Sequence, residues 1–392
     1  MTRYVIVGNG VAGTSAAEEL RQHDPQGSIT ILSAEDIPFY YRIRLPEVVA
    51  GEVDESRVVA KKPDWYSERS IDLHLQTTVT EADADRKILR TDTGREVPYD
   101  RLLLANGSHS FIPPIQGSDT PGVFALRTMQ DVRDIRTWAE GSKQVILIGG
   151  GLLGLEAGNG LRKLGKEITV VEFFPRLLPR QLDTDGAARL QSMLEDMGFS
   201  FRLGAKTTSI SGQRAVQEVH LESGESLPAD LVLVSAGVRP NLELARQLGL
   251  DLDKGIKVNE FLETSREDIF AAGDVTEFQG RVYGIWPAAE AQGHLAGQNM
   301  AGRRQAYQGT VMANTLKVVG IDLASAGEID ADNEHDSRVR SSQDAYRKIV
   351  LDGGTIIGCI MLGKTSGFQQ VTRMMQDKTD ASGSIDAILA GS

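Results

Sequence analysis

Reactive sulfur is almost missing from this chain of 392 residues, because Cys359 is its only cysteine. A single thiol excludes an intrachain disulfide, and it excludes a metal cluster held by the cysteines of this chain alone. Cys359 lies in an apolar stretch and is predicted to be an inert, buried thiol. The six histidines show no metal-ligand spacing, so no metal site is expected.

The sequence also lacks long apolar runs and an excess of positive charge. No run approaches the ~20 residues of a membrane span. The N-terminus enters a strand-like segment at once rather than a signal peptide, so the cytoplasm is the expected location. The net charge of −12 disfavours general affinity for nucleic acid or anionic membrane. With 41% hydrophobic and 24% charged residues, the composition is that of a globular protein.

Glycine, by contrast, is abundant, and its first cluster forms a recognisable motif. An apolar run at 4–7 predicts a buried strand, and Gly8, Gly10 and Gly13 then form G-x-G-x-x-G before a helical segment. The first glycine permits a tight turn, the second lets the backbone approach a pyrophosphate, and the third lets helix and strand pack closely. Glu35, at the end of the next strand, is expected to bind ribose hydroxyls. A plain strand–turn–helix packing unit is the alternative.

The same plan returns in the middle of the chain. A second apolar strand leads into Gly149, Gly151 and Gly154, and Glu172 closes the strand after that. A carboxylate at this position binds the ribose 2′-hydroxyl and repels a 2′-phosphate, which predicts NADH over NADPH, although Arg176 is close enough to weaken that preference. Two such motifs predict two dinucleotides. A fold that uses one of the motifs only structurally is the alternative.

The order of the segments predicts an α/β protein with two Rossmann-like domains and a smaller C-terminal α+β domain. After Gly237 the strand and helix pattern suggests a return to the first domain. From about residue 306 the pattern changes to strand-like alternation, with a hairpin signal at 352–354.

Together these segments resemble the two-dinucleotide-binding flavoprotein reductases of the pyridine nucleotide-disulfide oxidoreductase superfamily. Within it they are similar to the rubredoxin reductases and the flavin modules of assimilatory nitrite reductases. The resemblance spans about residues 2–375. It is carried by V-G-N-G-V-A-G at 7–13, L-A-N-G-S at 104–108, G-G-G-L-L-G-L-E at 149–156, S-A-G-V-R-P-N at 235–241, T-S-R-E-D-I-F-A-A-G-D-V at 264–275 and T-L-K-V-V-G-I-D-L-A-S-A-G at 315–327.

The resemblance implies a glutathione-reductase-like fold and the residue limits of its three domains. The FAD-binding domain would comprise 1–110 and 238–305, the NAD-binding domain 111–237, and the C-terminal interface domain 306–392.

It also assigns residues to FAD. The first glycine turn would hold the pyrophosphate, and Asp274 the ribityl chain. Lys317 and the helix start at Trp286 would face the flavin ring, where a cation or a helix N-terminus favours negative charge. A surface ion pair is the alternative for Arg127, a solvated position for Lys317, and a core position for Trp286. The residues implied for FAD are Gly8, Asn9, Gly10, Val11, Ala12, Gly13, Glu35, Arg42, Val79, Arg127, Glu156, Asp274, Trp286 and Lys317.

For the pyridine nucleotide the resemblance implies five residues, and it leaves catalytic residues unassigned. Glu156 would lie between flavin and nicotinamide, where related reductases pair it with a lysine. Here Glu47 stands about where that lysine would be, and two close carboxylates would raise the pKa of at least one of them. Arg44 is a hypothetical substitute for the missing cation. The residues implied for NAD are Gly149, Gly151, Gly154, Glu172 and Gly237.

Disulfide reductases of this superfamily need two cysteines beside the flavin, and peroxide- or oxygen-reducing relatives usually use one near position 40; this chain has neither. The resemblance therefore implies that electrons pass from NADH through FAD to a small one-electron carrier, with rubredoxin as the first candidate. Two alternatives stay open, an electron-donating flavoprotein subunit for nitrite reductase or another redox partner, and a flavin redox sensor.

Overall fold

A parallel sheet begins in residues 1–110 of the computed structural model, which describes residues 1–310 and 313–391, with 313–316 by their backbone only. Four apolar residues of β1 are buried, because the strand lies between two parallel neighbours, β2 and β7. The strands are β1 (Arg3–Val7), β2 (Ser28–Leu32), β3 (Ile71–His74), β4 (Val79–Asp83), β5 (Ile88–Thr91), β6 (Glu96–Pro98), β7 (Arg101–Leu104) and β8 (Ser108–Ser110). The helices are α1 (Val11–His23), α2 (Leu45–Val49), α3 (Glu55–Val58) and α4 (Pro63–Glu68), with a 3₁₀ turn at Arg42–Arg44.

The middle of the chain repeats this design. Its sheet has the order β12-β11-β10-β16-β9, with all neighbours parallel, and an antiparallel sheet β13-β14-β15 lies beside it. The strands are β9 (Val123–Ala125), β10 (Gln144–Ile148), β11 (Glu167–Glu172), β12 (Phe199–Leu203), β13 (Thr207–Ser211), β14 (Glu218–Leu221), β15 (Ser226–Pro228) and β16 (Leu231–Val234). The helices are α5 (Met129–Ala139), α6 (Leu152–Lys163) and α7 (Thr184–Asp196).

The next segment returns to the first sheet. It contains β17 (Val238–Pro240), α8 (Glu243–Gln247), β18 (Ile256–Val258), β19 (Ile269–Ala271), β20 (Thr276–Phe278) and α9 (Trp286–Met300). β19 pairs in parallel with β7 and completes the order β19-β7-β1-β2-β3. β17 pairs with β8. The segment that leaves the first sheet and the segment that returns to it therefore lie side by side. The domain limits themselves stay a prediction.

The last segment is an antiparallel sheet with two helices. The sheet has the order β21-β22-β25-β24-β23. The elements are β21 (Ala313–Val318), β22 (Ile321–Gly327), β23 (Asp336–Ser341), β24 (Tyr346–Asp352), β25 (Thr355–Leu362), α10 (Phe368–Gln376) and α11 (Ile385–Ala390). The predicted fold class, two Rossmann-like units and a C-terminal α+β unit, is confirmed.

One hydrophobic core joins the three parts. It contains α2 residues such as Val49, strands of the middle sheet, and Val318 and Val319 of the last segment. Helices α2 and α6 approach closely at Gly160, where a Cβ would lie 2.9 Å from the carbonyl oxygen of Pro46. Among the described residues, no helix has the length and apolar character that crossing a membrane would require.

Candidate functional site

The two glycine turns have matching geometry. Gly8 (φ +110) and Gly149 (φ +108) occupy backbone conformations that only glycine adopts readily. A Cβ at either residue would overlap a carbonyl oxygen, that of Ala105 or of Ser235. The middle glycines differ, because a Cβ at Gly10 would meet nothing within 4 Å. The protein itself does not require a glycine at that position, whereas a closely bound pyrophosphate would.

Several predicted FAD residues lie at one edge of the first sheet. Each follows the carboxyl end of a parallel strand: Gly8 after β1, Glu35 after β2, the 105–108 segment after β7, and Asp274 after β19. Carboxyl ends of parallel strands form the ligand-binding edge of such sheets. The neighbouring Gly273 brings this segment against α1, since its Cβ would lie 3.1 Å from that of Ala12.

A chain of polar contacts links four of these residues. Arg42 donates to Glu35 at 2.7 Å, and a second guanidinium nitrogen of Arg42 donates to the carbonyl of Arg127. Arg127 in turn donates to Asp274 at 2.9 Å and to the hydroxyl of Ser108 at 2.7 Å. The surface ion pair considered for Arg127 is therefore replaced by a half-buried pair with another predicted site residue.

Local sequence explains how Arg127 is held. Thr128 caps α5 and forms a capping box with Asp131. The Asp131 carboxylate also accepts the backbone N–H of Arg127 at 2.8 Å, so the residue is fixed at a helix start. Burial, and then the nearby Arg42, lower the pKa of the Arg127 guanidinium. Two guanidinium groups so close together favour an anion between or beside them.

The first turn also contains a buried donor without a partner. The side-chain oxygen of Asn9 accepts from Tyr66 at 3.1 Å and from Thr14 at 3.3 Å, whereas its amide nitrogen has no hydrogen bond. A buried donor left unpaired is costly in free energy. The open space at Gly10, the Asn9 donor and the two arginines together fit a dinucleotide pyrophosphate.

Five further predicted FAD residues are Val11, Ala12, Gly13, Val79 and Lys317. Val11, Ala12 and Gly13 form the first turn of α1, and a Cβ at Gly13 would overlap the carbonyl oxygen of Gly8. Val79 is buried at the start of β4, with no polar side-chain role. Lys317 is exposed on β21, and within the described residues its ammonium has no hydrogen bond or ion pair.

Trp286 lies at the first position of α9, as the sequence predicts, and two further aromatic residues contact it. Tyr41 stacks on Trp286 with ring centroids 5.5 Å apart, and Phe39 lies 5.7 Å away. Tyr41 and the neighbouring Ile43 are exposed. Trp286 is only half-buried, so the core alternative does not describe it.

The surroundings of Glu156 differ in part from expectation. Burial raises the pKa of Glu156, and the nearby carboxylates of Glu47 and Glu52 add to this rise. Arg44, however, donates from Nε and Nη2 to the Glu47 carboxylate at 2.6 to 3.1 Å instead of pairing with Glu156. Arg44 therefore balances the charge of Glu47 rather than that of Glu156. The donor to Glu156 is the backbone N–H of Val319, at 2.7 Å.

The second nucleotide turn is closed by Glu172. Its carboxylate accepts from the N–H of Gly150 at 2.5 Å and of Phe174 at 2.8 Å, and the residue is buried. A Cβ at Gly154 would lie 2.8 Å from that of Ser235, whereas one at Gly151 would meet only the Ser235 carbonyl, at 4.0 Å.

The sequence also indicates Gly237 and Arg176 as residues near the second turn. Gly237 (φ +97) is exposed beyond the end of β16, on the same edge as Glu172. The guanidinium of Arg176 has one buried nitrogen without a hydrogen bond. The predicted NAD residues Gly149, Gly151, Gly154, Glu172 and Gly237 thus share one edge of the middle sheet.

Several polar residues of the site were not predicted. Ser108 bridges Arg127 and Asp274, Tyr40 donates to Glu35 at 2.7 Å, and Gln292 accepts the N–H of Gly273 at 2.8 Å. Ser108 ends the segment L-A-N-G-S, which gave a signal for it. Tyr40 and Gln292 act through contacts between distant segments, for which the sequence has no local signal.

The thiol of this chain lies in the C-terminal sheet. Cys359 is fully buried on β25, as the sequence predicts, and burial raises the pKa of its thiol to about 12. The described part of the chain contains no group of three or more side chains placed to hold a metal ion.

Two protein families match separate parts of the chain. Residues 2–293 match the family described as pyridine nucleotide-disulphide oxidoreductase. Residues 313–379 match the family described as rubredoxin NAD+ reductase C-terminal domain.

Three individual proteins illustrate the range of relatives. "Nitrite reductase [NAD(P)H]" of Bacillus subtilis is 38% identical over 97% of this chain and 48% of its own length. "NADH-rubredoxin oxidoreductase" of Clostridium acetobutylicum is 31% identical over 92% of both chains. The crystal structure of a covalent putidaredoxin reductase–putidaredoxin complex superposes with a TM-score of 0.85 and 27% identity, over 97% of this chain and 94% of that one. The chain spans about half the length of the curated relatives that it matches first.

Proposed function

The chain belongs to the pyridine nucleotide-disulphide oxidoreductase family, and from that premise we propose an FAD-dependent oxidoreductase that passes electrons from NADH to a small iron or iron–sulfur carrier. The observation that carries the proposal is the set of contacts beside the first glycine turn. There Arg42 pairs with Glu35, and Arg127 pairs with Asp274. Guanidinium groups suit a pyrophosphate, and carboxylates suit ribose and ribityl hydroxyls.

The residues of this chain have separate tasks toward FAD in this proposal. Asn9 and the N–H groups at the start of α1 would bind the pyrophosphate, with Arg42 and Arg127 supplying the opposite charge. Glu35 would accept hydrogen bonds from the ribose, and Asp274 from the ribityl chain. When bound, FAD accepts two electrons together as a hydride and can release them one at a time.

The second turn would bind NADH. Gly149, Gly151 and Gly154 allow the pyrophosphate to approach the start of α6, and Gly237 would lie near the nicotinamide. Glu172 would accept a hydrogen bond from the ribose 2′-hydroxyl, and its charge would repel a 2′-phosphate. This favours NADH over NADPH.

The acceptor is proposed from what the site lacks and from the names of relatives. The single thiol, Cys359, is buried on the far sheet, so electrons would have to leave from the flavin itself. Two of the similar proteins are named for rubredoxin and putidaredoxin. Rubredoxin is therefore the first carrier to test. The cytoplasm, where thiols stay reduced, is the proposed compartment.

A second candidate function is an electron-donating flavoprotein part of a nitrite reductase. The observation that favours it is the extent of similarity. Three nitrite reductases match over 95% or more of this chain, and the chain covers 40 to 48% of their length. In this case the acceptor would be a redox centre in another part of the assembly or in a partner protein.

Anaerobic rapid mixing with NADH tests the proposal. The purified protein should be yellow, and NADH should bleach the flavin absorbance within milliseconds to seconds. Turnover should follow with rubredoxin or another carrier from a panel of purified iron and iron–sulfur proteins. The value of kcat/KM should be at least about tenfold higher with NADH than with NADPH, since an unfavourable charge contact is worth a kilocalorie per mole or more.

Other outcomes separate the alternatives. A protein that stays colourless when supplied with FAD contradicts the whole proposal. A slow, long-lived charge-transfer complex without turnover indicates a redox sensor. Rapid bleaching without turnover on any carrier, but with turnover on a nitrite-reducing partner, supports the second candidate.

A further inference from the structure

We propose that Glu156 is a positioning residue: its carboxylate holds the tip of the β21–β22 hairpin, which carries Lys317, against helix α6. This inference deepens the proposed function, because it rests on the assignment of Lys317 to the flavin. The contact itself is a property of the chain and can be measured independently of electron transfer.

The hairpin tip has a conformation that its sequence does not favour. Val318 pairs with Ile321, so Val319 and Gly320 form a two-residue loop. Both loop residues have positive φ, +55 for Val319 and +84 for Gly320. Such loops prefer Asn-Gly, and positive φ is a genuine outlier for a β-branched residue. A contact from outside the hairpin is therefore needed to hold this tip.

Packing explains why an apolar residue occupies this position. Val319 is 5% exposed and belongs to the core that also contains Val49 of α2 and strands of the middle sheet. Burial of the side chain offsets the unfavourable backbone conformation. It does not satisfy the Val319 N–H, because the hairpin ladder uses the groups of Val318 and Ile321 on either side of the loop.

Glu156 supplies the missing acceptor from another unit. Its Oε1 accepts the Val319 N–H at 2.7 Å, and this is the hydrogen bond that the described residues give to its carboxylate. The surroundings otherwise disfavour a charge there. The residue is half-buried, and the charges facing it from α2 and from the loop after it are Glu47 and Glu52, with Lys163 of α6 as the facing cation. Glu156 is thus a half-buried carboxylate beside two others, and the Val319 N–H is the group that donates to it. This combination indicates that the Glu156–Val319 hydrogen bond is a specific contact.

No cation competes with the hairpin for this carboxylate. Among the described residues Glu156 has no ion pair, and Arg44 binds Glu47 instead. The Glu156 carboxylate is therefore available to the hairpin. Lys317 lies two residues before Val319 and is exposed, while Val318 between them is buried. Fixing the tip thus fixes the point from which the Lys317 side chain extends.

Hydrogen exchange of the Val319 amide, measured by mass spectrometry of peptides covering 317–322 in the FAD-loaded protein without NADH, tests the contact. Glu156→Leu removes the acceptor and should speed exchange at least about tenfold, because a hydrogen bond to a charged group is worth more than a kilocalorie per mole. Glu156→Gln keeps an acceptor oxygen and should stay within about threefold of the original rate. Glu52→Gln removes an equal charge nearby and should leave exchange unchanged.

Flavin reduction by NADH tests the consequence. Glu156→Leu should lower the limiting reduction rate at least about fivefold while the half-saturating NADH concentration changes less than twofold, and Glu156→Gln should restore the rate. Unchanged exchange in Glu156→Leu, or equal acceleration in Glu52→Gln, overturns the inference. Lack of rescue by Glu156→Gln in both measurements also overturns it. A parent protein that NADH does not reduce refutes the proposed function instead, and leaves the exchange result interpretable.

Discussion

At the scale of single residues, the site depends on which side chain meets which. Asp274 and Arg127 are 147 positions apart in sequence, yet they form one half-buried ion pair with Ser108 between them. The charge of each could be assigned from its segment. The pairing could not, because it requires α5 and the end of β19 to reach the same edge of the first sheet.

The pair leads to a prediction about FAD affinity. Arg127→Gln removes a cation beside the proposed pyrophosphate and leaves the Asp274 carboxylate without its cationic partner, so the Kd for FAD should rise at least about tenfold. Arg133→Gln is the control, because Arg133 lies on the adjoining helix and binds Glu55 and Asp36 instead. Its effect should stay within about twofold. Quenching of FAD fluorescence during titration of the apo-protein measures both, and equal effects would show that Arg127 has no special role.

At the scale of elements, small residues decide how close two helices come. α6 contains three glycines, Gly154, Gly158 and Gly160, inside a helix that packs on both α2 and the middle sheet. A Cβ at Gly160 would approach the backbone of α2 to 2.9 Å at Pro46 and 3.3 Å at Ala50. A Cβ at Gly158 would only reach side chains at 3.5 Å, which is ordinary contact.

These two positions predict opposite effects of the same substitution. Gly158→Ala should raise the free energy of unfolding by about 0.5–1 kcal/mol, because alanine is the better helix former. Gly160→Ala should lower it by about 1–3 kcal/mol, since the added methyl group must displace the α2 backbone. Urea denaturation followed by circular dichroism compares the two. A gain in stability at Gly160 would show that α2 and α6 are not in close contact.

At the scale of the whole molecule, a buried ionic cluster joins the middle unit to the last one. The Lys348 ammonium lies 3.2 Å from Asp183, which caps α7, and 3.3 Å from Asp330. Tyr346 also donates to Asp183 at 2.6 Å. With the Glu156–Val319 contact, this cluster ties the last sheet to the middle unit at a second place.

The cluster predicts a pH dependence of stability. Burial by itself raises the pKa of Asp330, but hydrogen bonds from Ser337 and two backbone N–H groups, together with Lys348, outweigh it and lower the pKa to about 2. The folded-state value lies below the unfolded one, so Asp330 stabilises the fold above about pH 4, and this contribution disappears as the pH falls toward 2. The loss should be on the order of 2 kcal/mol.

Denaturation at a series of pH values checks this expectation. Asp330→Asn should be less stable near neutral pH and should show a shallower loss of stability between about pH 5 and pH 2. Asp352→Asn, at an exposed position of the same sheet, is the control and should follow the parent profile. A parent-like slope in Asp330→Asn would exclude Asp330 as the source.

Local sequence patterns predicted much of this molecule. The strand–glycine–helix plan at 4–20 and its repeat in the middle of the chain indicated the two parallel sheets, and both are present. The family prediction is confirmed by the match over residues 2–293. The assignment of individual residues to FAD and NAD stays a prediction. The hypothesis that Arg44 compensates for the missing lysine at Glu156 stays a prediction, and in the structure Arg44 forms its ion pair with Glu47.

The sequence by itself determined what short-range physics controls. Glycines at fixed spacing specify turns that phosphate can approach, apolar runs specify buried strands, and one cysteine excludes a disulfide relay. Only the tertiary structure decided which polar groups meet, as in Arg127 with Asp274, Tyr40 with Glu35 and Glu156 with Val319. The reason is that a hydrogen bond acts over about 3 Å, and distant segments come that close only after the sheets and helices have packed.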